Sequence, residues 1–182
     1  MGGPMKYFIL LLIMTVSVAC SNTTPEEETV VSVDDGDVVA IVKGEEITLK
    51  DIRSLYNVPD DKIAMMVENF VKEEIMVVEA KKMGIDVSDE MEGIELAFPF
   101  SDPENEDFFE IQAKYLGISS REYYDVYFKE RLKRNAYVNN LINEVLDLSQ
   151  YGVDDAELLD EKINEYIDNL LNEYKEEIEI LL

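Results

Sequence analysis

The stretch "DVVAIVKGEEITLKDIRSLY", residues 37–56, marks the start of the folded part of this chain. Its β-branched run Val38–Val42 predicts a short strand, and Glu45–Ile47 predicts a second one. Lys43 and Gly44 lie between the two runs and predict a tight turn, because glycine readily adopts a positive φ. The first folded element is therefore expected to be a two-stranded β-hairpin.

A helix is predicted directly after the hairpin. Thr48 has the chemistry of an N-cap, Asp51 follows three residues later, and the apolar side is formed by Ile52, Leu55 and Tyr56. A hairpin of two strands is only marginally stable alone, so this one must pack on helices.

A long helix is predicted from about Asp60 to Met83, because apolar residues recur there at helical spacing. Pro59 lies where helices commonly begin, and Gly84 lies where a C-terminal cap belongs. The predicted apolar stripe consists of Ile63, Val67, Phe70, Val71, Ile75 and Val78.

Two shorter helices are predicted in the middle of the chain. Ser88 is expected to cap a helix that ends near Ala97, and residues 98–107, "FPFSDPENED", are expected to form a loop with two prolines. Phe108, Ile111 and Tyr115 then mark another short helix, which should end at Gly117.

Two more helices complete the prediction. Ser119 and Glu122 have the spacing of a capping box at the start of a long helix, and a last helix should run over residues 155–182. In the first of these, Tyr124 and Phe128 are expected on the core side, with Tyr123 and Tyr127 beside it. The predicted fold class is mostly α: a helical bundle with a small N-terminal β-hairpin, closed by the long C-terminal helix.

A short apolar run precedes the only cysteine. The uncharged run Tyr7–Ala19 would be about 20 Å long as a helix, which is short for a bilayer core of about 30 Å and fits a signal peptide. Ala19 before Cys20 resembles the bacterial lipobox, although Ser17 stands where that motif prefers leucine. Lipidation of Cys20 is the favoured interpretation, and an ordinary secretory signal with an incidental cysteine is the alternative.

This interpretation divides the chain into three parts. Residues 1–19 are the predicted signal peptide, residues 20–36 a lipidated N-terminus and flexible acidic tether, and residues 37–182 one helical domain. The predicted location is extracytoplasmic, on a bacterial cell membrane to which lipidated Cys20 anchors the protein.

The composition excludes several function classes. The chain has 41 acidic and 16 basic side chains and a formal net charge of −25, so it should repel nucleic acid and suit basic or unfolded polypeptides. It has no histidine, which excludes Ser-His-Asp and Cys-His catalysis. One cysteine cannot form an intramolecular disulfide. No cofactor is expected, and the sequence leaves the oligomeric state open.

Two acidic stretches leave weak calcium binding open, namely "SVDDGD" (32–37) and "SDPENEDFFE" (101–110). Neither matches an EF-hand loop, so solvated acidic loops are the favoured interpretation and no metal site is assigned. A pair of carboxylates acting as acid and base is a third open reading, but no spacing singles such a pair out.

Three stretches resemble the SurA N-terminal domain family, which includes PrsA-type foldase lipoproteins. "VAIVKGEEITLKDI" (39–52) is similar to the family's opening, "VVEAKKMGIDVSDE" (77–90) to its second landmark, and "LGISSREYY" (116–124) to its third. Lys43 stands where that family usually has asparagine, which suits a left-handed turn better than lysine does.

The resemblance implies a domain that holds unfolded exported polypeptides. Family members usually also carry a parvulin prolyl isomerase domain, but too few residues follow Leu146 for one, and its histidines are missing. The resemblance thus implies a non-catalytic chaperone that is not an enzyme, with residues 155–182 packing directly on the N-terminal part.

Met66, Phe70 and Tyr127 are the candidate client-binding residues, in a cleft between the long helices. Adaptable methionine side chains suit varied apolar partners, and five methionines fall within residues 65–91. Ordinary core packing is the competing interpretation for each of these residues. The competing function is a structural or adaptor lipoprotein that docks one folded envelope partner.

Overall fold

A computed structural model describes residues 33–56, 58–152 and 155–182, apart from the side chain of Glu104. The predicted signal peptide, the lipidation of Cys20 and most of the predicted tether lie outside the described residues. Val33, the first described residue, packs against the main core. Asp35 follows in a turn, where its carbonyl accepts a hydrogen bond from the Lys50 backbone N–H at 2.8 Å.

The hairpin is confirmed. Strand β1 (Val38–Val42) pairs antiparallel with strand β2 (Glu45–Thr48), so that Val42 lies opposite Glu45. The turn residues Lys43 and Gly44 have φ angles of 53° and 82°. Positive φ at both positions is the type I′ geometry, whose twist matches that of the flanking strands.

A third strand corrects the predicted C-terminal helix. Helix α7 covers only Ala156–Glu173; a 3₁₀ turn follows, and then strand β3 (Ile178–Ile180). β3 pairs antiparallel with β1, which gives the strand order β2-β1-β3. The physical reason is that the free edge of β1 needs backbone partners, and the alternation of apolar and acidic residues in "IEI" fits a half-buried strand.

The first two helices begin and end close to their predicted positions. Helix α1 (Leu49–Leu55) starts with the predicted capping box: the Thr48 hydroxyl accepts from the Asp51 N–H at 3.2 Å, and the Asp51 carboxylate accepts from the Thr48 N–H at 2.9 Å. Helix α2 (Ile63–Lys82) follows a 3₁₀ turn at Asp60–Lys62. It ends before Gly84, whose φ of 77° explains the glycine there.

Helix α3 (Ser88–Ala97) begins at Ser88 itself. The prediction that Ser88 is the cap is therefore wrong. Its side chain does not cap the helix; instead the Asp86 carboxylate accepts a hydrogen bond from the Ser88 N–H at 2.9 Å. An aspartate bonding to the backbone two residues on is a common turn that can open a helix.

Helix α4 (Pro103–Leu116) is the predicted short helix, but it begins earlier than predicted. It begins inside the predicted loop 98–107, and its proline lies in the first turn, where the missing N–H costs nothing. Its buried residues are Phe109 and Ala113, whereas the three residues that mark the helix in the sequence are exposed. These three residues are Phe108, Ile111 and Tyr115.

The long helix predicted after Ser119 is continuous, but its first part contains a π-helical segment. The Ser119 hydroxyl caps α5 (Ser120–Glu122), a π-helical segment covers Tyr123–Phe128, and helix α6 (Lys129–Val145) continues from it. The prediction that Tyr123 lies beside the core is wrong, because Tyr123 and Tyr124 are both buried. The wider π turn changes which side chains share a face.

The described residues form two hydrophobic clusters. The main core lies between the sheet, α2, α6 and α7, with α2 at its centre. The second, which we call the aromatic cluster, has Phe109, Ala113, Tyr123 and Tyr124 at its centre; packed around them are Phe100, Leu116, Ile118, Tyr127 and Phe128. The coarse prediction of a mostly helical bundle with a small β element is confirmed.

Tyr174 fixes the end of α7 to α2. Its hydroxyl donates to the Glu79 carboxylate at 2.6 Å, and Lys82 Nζ lies 3.0 Å from the same carboxylate oxygen. Burial alone would raise the pKa of Glu79, but the hydrogen bonds from Tyr174 and Lys82 outweigh burial and hold it below its usual 4.5. The charged form of Glu79 is therefore stabilised in the folded state.

Replacing Glu79 with glutamine is expected to lower the free energy of unfolding by about 1 kcal/mol near neutral pH. A carboxyl group with a depressed pKa stabilises the fold above its unfolded value of about 4.5, and this stabilisation is lost as the pH falls through the folded value. The difference between wild type and Glu79→Gln should therefore shrink towards zero in acid.

Urea unfolding over a pH series measures this difference. Asp168→Asn removes an exposed carboxylate from the interior of α7 and is the matched control, with an expected difference below about 0.5 kcal/mol at every pH. A Glu79→Gln difference that stays constant into strong acid would contradict the prediction.

Candidate functional site

The outer side of α4 carries a row of exposed apolar side chains, which we call the α4 face. Phe108, Ile111 and Tyr115 are 44%, 55% and 83% exposed. Their spacing of three and four residues places them on one side of the helix. The aromatic cluster packs against the other side through Phe109 and Ala113. Phe108 also contacts this cluster, with its ring centroid 6.2 Å from that of Phe128, whereas Ile111 and Tyr115 are the most exposed residues of the α4 face.

A groove of about 370 Å³ runs beside the α4 face, between the end of α1 and the aromatic cluster. This volume is within the range of ligand pockets in proteins. Its polar rim includes Asp35, Arg53, Gln112 and Arg131. Its apolar and aromatic lining consists of Leu55, Tyr56, Val58, Phe108, Tyr115, Leu116 and Tyr123. We call it the aromatic groove.

Two arginines lie on the rim of the groove in an otherwise strongly acidic protein. Arg53 is neutralised, because its guanidinium contacts Asp35 at 2.6 Å and Asp60 at 2.5 Å. The exposed Arg131 lies over the Tyr56 ring, 5.4 Å from its centroid, and forms no ion pair with any residue that the structure describes. The rim therefore offers one cation that a bound chain can contact.

A buried network holds the Tyr56 wall of the groove. The Tyr56 hydroxyl donates to Glu73, whose other carboxylate oxygen accepts from Arg134 at 2.5 Å. The pKa of Tyr56 is raised well above its usual value. Burial is the largest cause, followed by the hydrogen bond to Glu73 and the negative charge of Glu73. Tyr56 thus stays protonated and fixed, with its ring edge-on to Phe70.

The predicted client-binding residues are not brought together on one surface. Phe70 is only 6% exposed, lies in the main core, and has the Arg134 guanidinium 4.5 Å from its ring centroid. Met66 is half-buried against the same core, and Tyr127 is half-buried in the aromatic cluster. None of the three lines the aromatic groove. Burial of Phe70 makes it a packing residue in this structure.

The methionines are spread over different environments. Met76 is buried, Met66 and Met91 are half-buried, and Met65 and Met83 are 50% and 45% exposed. Core packing, the competing interpretation, fits Met76. The groove is lined by four aromatic residues and by no methionine, so a search that followed the methionines missed it.

The described part of the chain contains no group of three or more histidine, cysteine, aspartate or glutamate side chains placed to hold a metal ion. Within the same residues, no helix has both the length and the apolar character needed to cross a bilayer.

Comparison with known proteins adds no family assignment. No protein-family model matches the sequence, and neither curated proteins nor solved structures give a significant match. The resemblance to the SurA N-terminal domain family therefore stays a prediction that rests on the three quoted stretches.

Proposed function

We propose that this protein is an exported, membrane-anchored lipoprotein that acts as a non-catalytic chaperone. It holds unfolded or newly exported polypeptides, and lipidated Cys20 attaches it to the membrane. The aromatic groove and the α4 face form the surface that receives apolar segments of the client.

The observation that carries this proposal is the α4 face. Large apolar side chains in a contiguous exposed row commonly mark an interaction site. Aromatic residues supply much of the binding energy at such sites, and Tyr115, at 83% exposure, is free to contact a client. The adjoining groove accepts side chains of varied shape, as promiscuous binding requires.

The charge of the protein supports the same proposal. A formal net charge of −25 keeps a complex with an exposed apolar client in solution, because like-charged complexes repel one another. Arg131 at the groove rim adds a contact for carbonyl or carboxylate oxygens of the client. The binding energy itself comes from apolar burial, which salt does not weaken.

Light scattering from a denatured exported protein, mixed with the full chain at several ratios, tests the proposal. We expect dose-dependent suppression of aggregation that survives high salt. Suppression that disappears at high salt would contradict apolar binding. Tight capture of one folded partner, without suppression for several unrelated clients, would favour the adaptor function instead.

Replacing both Ile111 and Tyr115 with serine is expected to weaken client binding about 30-fold, since each exposed contact contributes about 1 kcal/mol. The stability should change little, because both side chains are exposed. Fluorescence anisotropy of a labelled client measures the loss.

The matched control replaces Leu96 and Leu158 with serine. Both are exposed apolar residues on other helices, and their loss should leave client binding unchanged. Equal effects of the two double variants would place client binding outside the α4 face.

A further inference from the structure

The outer edge of β3 is unpaired among the described residues, because β3 is a terminal strand of the sheet order β2-β1-β3. The hydrogen bonds to β1 define which backbone groups are free. The Lys43 N–H donates to the Glu177 carbonyl at 2.8 Å, and the Leu181 N–H donates to the Val39 carbonyl at 3.0 Å. The backbone N–H and C=O groups of the odd-numbered residues 177, 179 and 181 therefore point towards β1.

The backbone N–H and C=O groups of Ile178 and Ile180 consequently point away from β1, since alternate residues of an antiparallel strand bond to opposite sides. They form a row of donors and acceptors of the kind that recruits another strand. Ile180 is 43% exposed and Ile178 is half-buried, so solvent reaches this edge at Ile180.

An apolar groove of about 290 Å³ lies beside this edge, between β3, α2 and α7. Val71 and Leu171 line it together with Ile178 and Ile180, and Lys72 and Lys175 stand at its rim. We call it the edge groove. A strand that paired with Ile178 and Ile180 would place the side chains opposite them on this same face of the sheet.

The opposite face of the sheet is acidic at this edge. Ile41 of β1 lies between Glu46 of β2 and Glu179 of β3 in one row across the sheet. Glu179 is exposed and has no ion pair with any residue that the structure describes. An added strand would place some of its side chains beside Glu179. Basic side chains at these positions would bind better than acidic or apolar ones.

We propose that the outer edge of β3 binds an extended polypeptide segment of alternating apolar and basic residues as a fourth, antiparallel strand. The apolar residues enter the edge groove, and the basic residues lie beside Glu179. Main-chain hydrogen bonds supply affinity, and the alternation supplies selectivity. The edge groove and the aromatic groove share no lining residue, so this second site does not depend on the first.

Pairing makes a specific prediction about the backbone of the bound peptide. Residues directly opposite in an antiparallel pair have side chains on the same face. The peptide residues that exchange hydrogen bonds with Ile178 and Ile180 are therefore its apolar residues, and the N–H groups of its basic residues point away from β3.

The probe is a fluorescent peptide of alternating valine and lysine, titrated with the full chain by anisotropy. Two versions carry N-methyl groups, on the valines in one and on the lysines in the other. We expect methylation of the valines to weaken binding at least about tenfold, because it removes the N–H donors. Methylation of the lysines should change binding less than about twofold. Equal affinities of the two versions, or no binding of the parent peptide, would overturn the proposal.

Substitutions in the protein test the same edge. Ile180→Pro removes the N–H that points away from β1 and leaves the hydrogen bonds to β1 intact, so it should abolish peptide binding. Ile180→Val keeps this N–H and should still bind the peptide. Glu179→Lys should weaken binding several-fold, whereas Glu92→Lys makes the same change in net charge on α3 and should not.

The Ile111→Ser, Tyr115→Ser double variant should bind the valine–lysine peptide as the wild type does. Failure of the edge site and failure of the aromatic groove are thereby distinguishable. Urea unfolding of each variant confirms that it is folded, and wild-type affinity in folded Ile180→Pro would refute strand addition.

Discussion

Replacing Arg134 with alanine is expected to lower the free energy of unfolding by about 3 to 5 kcal/mol. The Arg134 side chain is 7% exposed and contacts Glu73 at 2.5 Å and Glu74 at 2.6 Å. Its guanidinium also stacks on Phe70. Alanine would leave two mostly buried carboxylates without their cation, which is the costly way to break a buried ion pair.

Urea unfolding of two further variants tests whether the loss of stability comes from the unpaired carboxylates or from any substitution on this part of α6. Lys133→Ala changes the exposed neighbouring residue and should shift stability by less than about 0.5 kcal/mol. Arg134→Met combined with Glu73→Gln and Glu74→Gln should recover much of the loss, because no unpaired buried charge remains. A cost below about 1 kcal/mol for Arg134→Ala would show that the network does not hold α2 to α6.

Replacing Phe109 with alanine should cost about 3 to 5 kcal/mol. Phe109 is 1% exposed, and its ring centroid lies 5.0 Å from those of Tyr124 and Phe128. Removing it opens a cavity at the centre of the aromatic cluster, where edge contacts between rings add to the lost burial. Client binding should fall as well, since the cluster supports Tyr123 and Leu116 of the aromatic groove.

Its neighbour Phe108 provides the control in urea unfolding. Phe108 has the same side chain on the same helix, but it is 44% exposed, so Phe108→Ala should cost only about 1 kcal/mol. Similar costs for the two substitutions, or a larger one for Phe108, would mean that α4 is rotated from the orientation described.

Short sequence patterns were sufficient to predict the first elements of the fold. The Lys43-Gly44 turn and the capping box of Thr48 and Asp51 each depend on residues within a few positions of one another. The stripe of α2 is long enough for its helical period to be unambiguous. For these reasons the hairpin, α1 and α2 could be predicted from the sequence.

The orientation of α4 could not be predicted in the same way. Two stripes of equal periodicity run along it, one through Phe108, Ile111 and Tyr115 and the other through Phe109 and Ala113. The choice between them depends on Tyr123 and Tyr124, which the π segment turns inward. No local pattern marks that segment, so the sequence alone does not show which stripe is buried, nor that an aromatic groove lies beside α4.

The sequence contains one signal for the burial of Arg134. It lies four residues before Val138 and seven before Leu141, so the helical period places all three on one side of α6. A charged residue in such a position indicates a buried partner. Its partners Glu73 and Glu74 lie on α2, and only the packing of the two helices identifies them among 41 acidic residues.

The pairing of β1 with β3 also determines the order in which the protein can fold. Ala40 lies opposite Ile180, so the sheet closes only after residue 180 has been synthesised, 140 residues after Ala40. Contacts so distant in sequence form late and slow the folding rate, because a long chain must first be brought together. During that interval β1 presents a bare strand edge, which is the kind of surface that leads to aggregation. A protein proposed to shelter unfolded chains therefore passes through such a vulnerable state itself, until β3 pairs with β1.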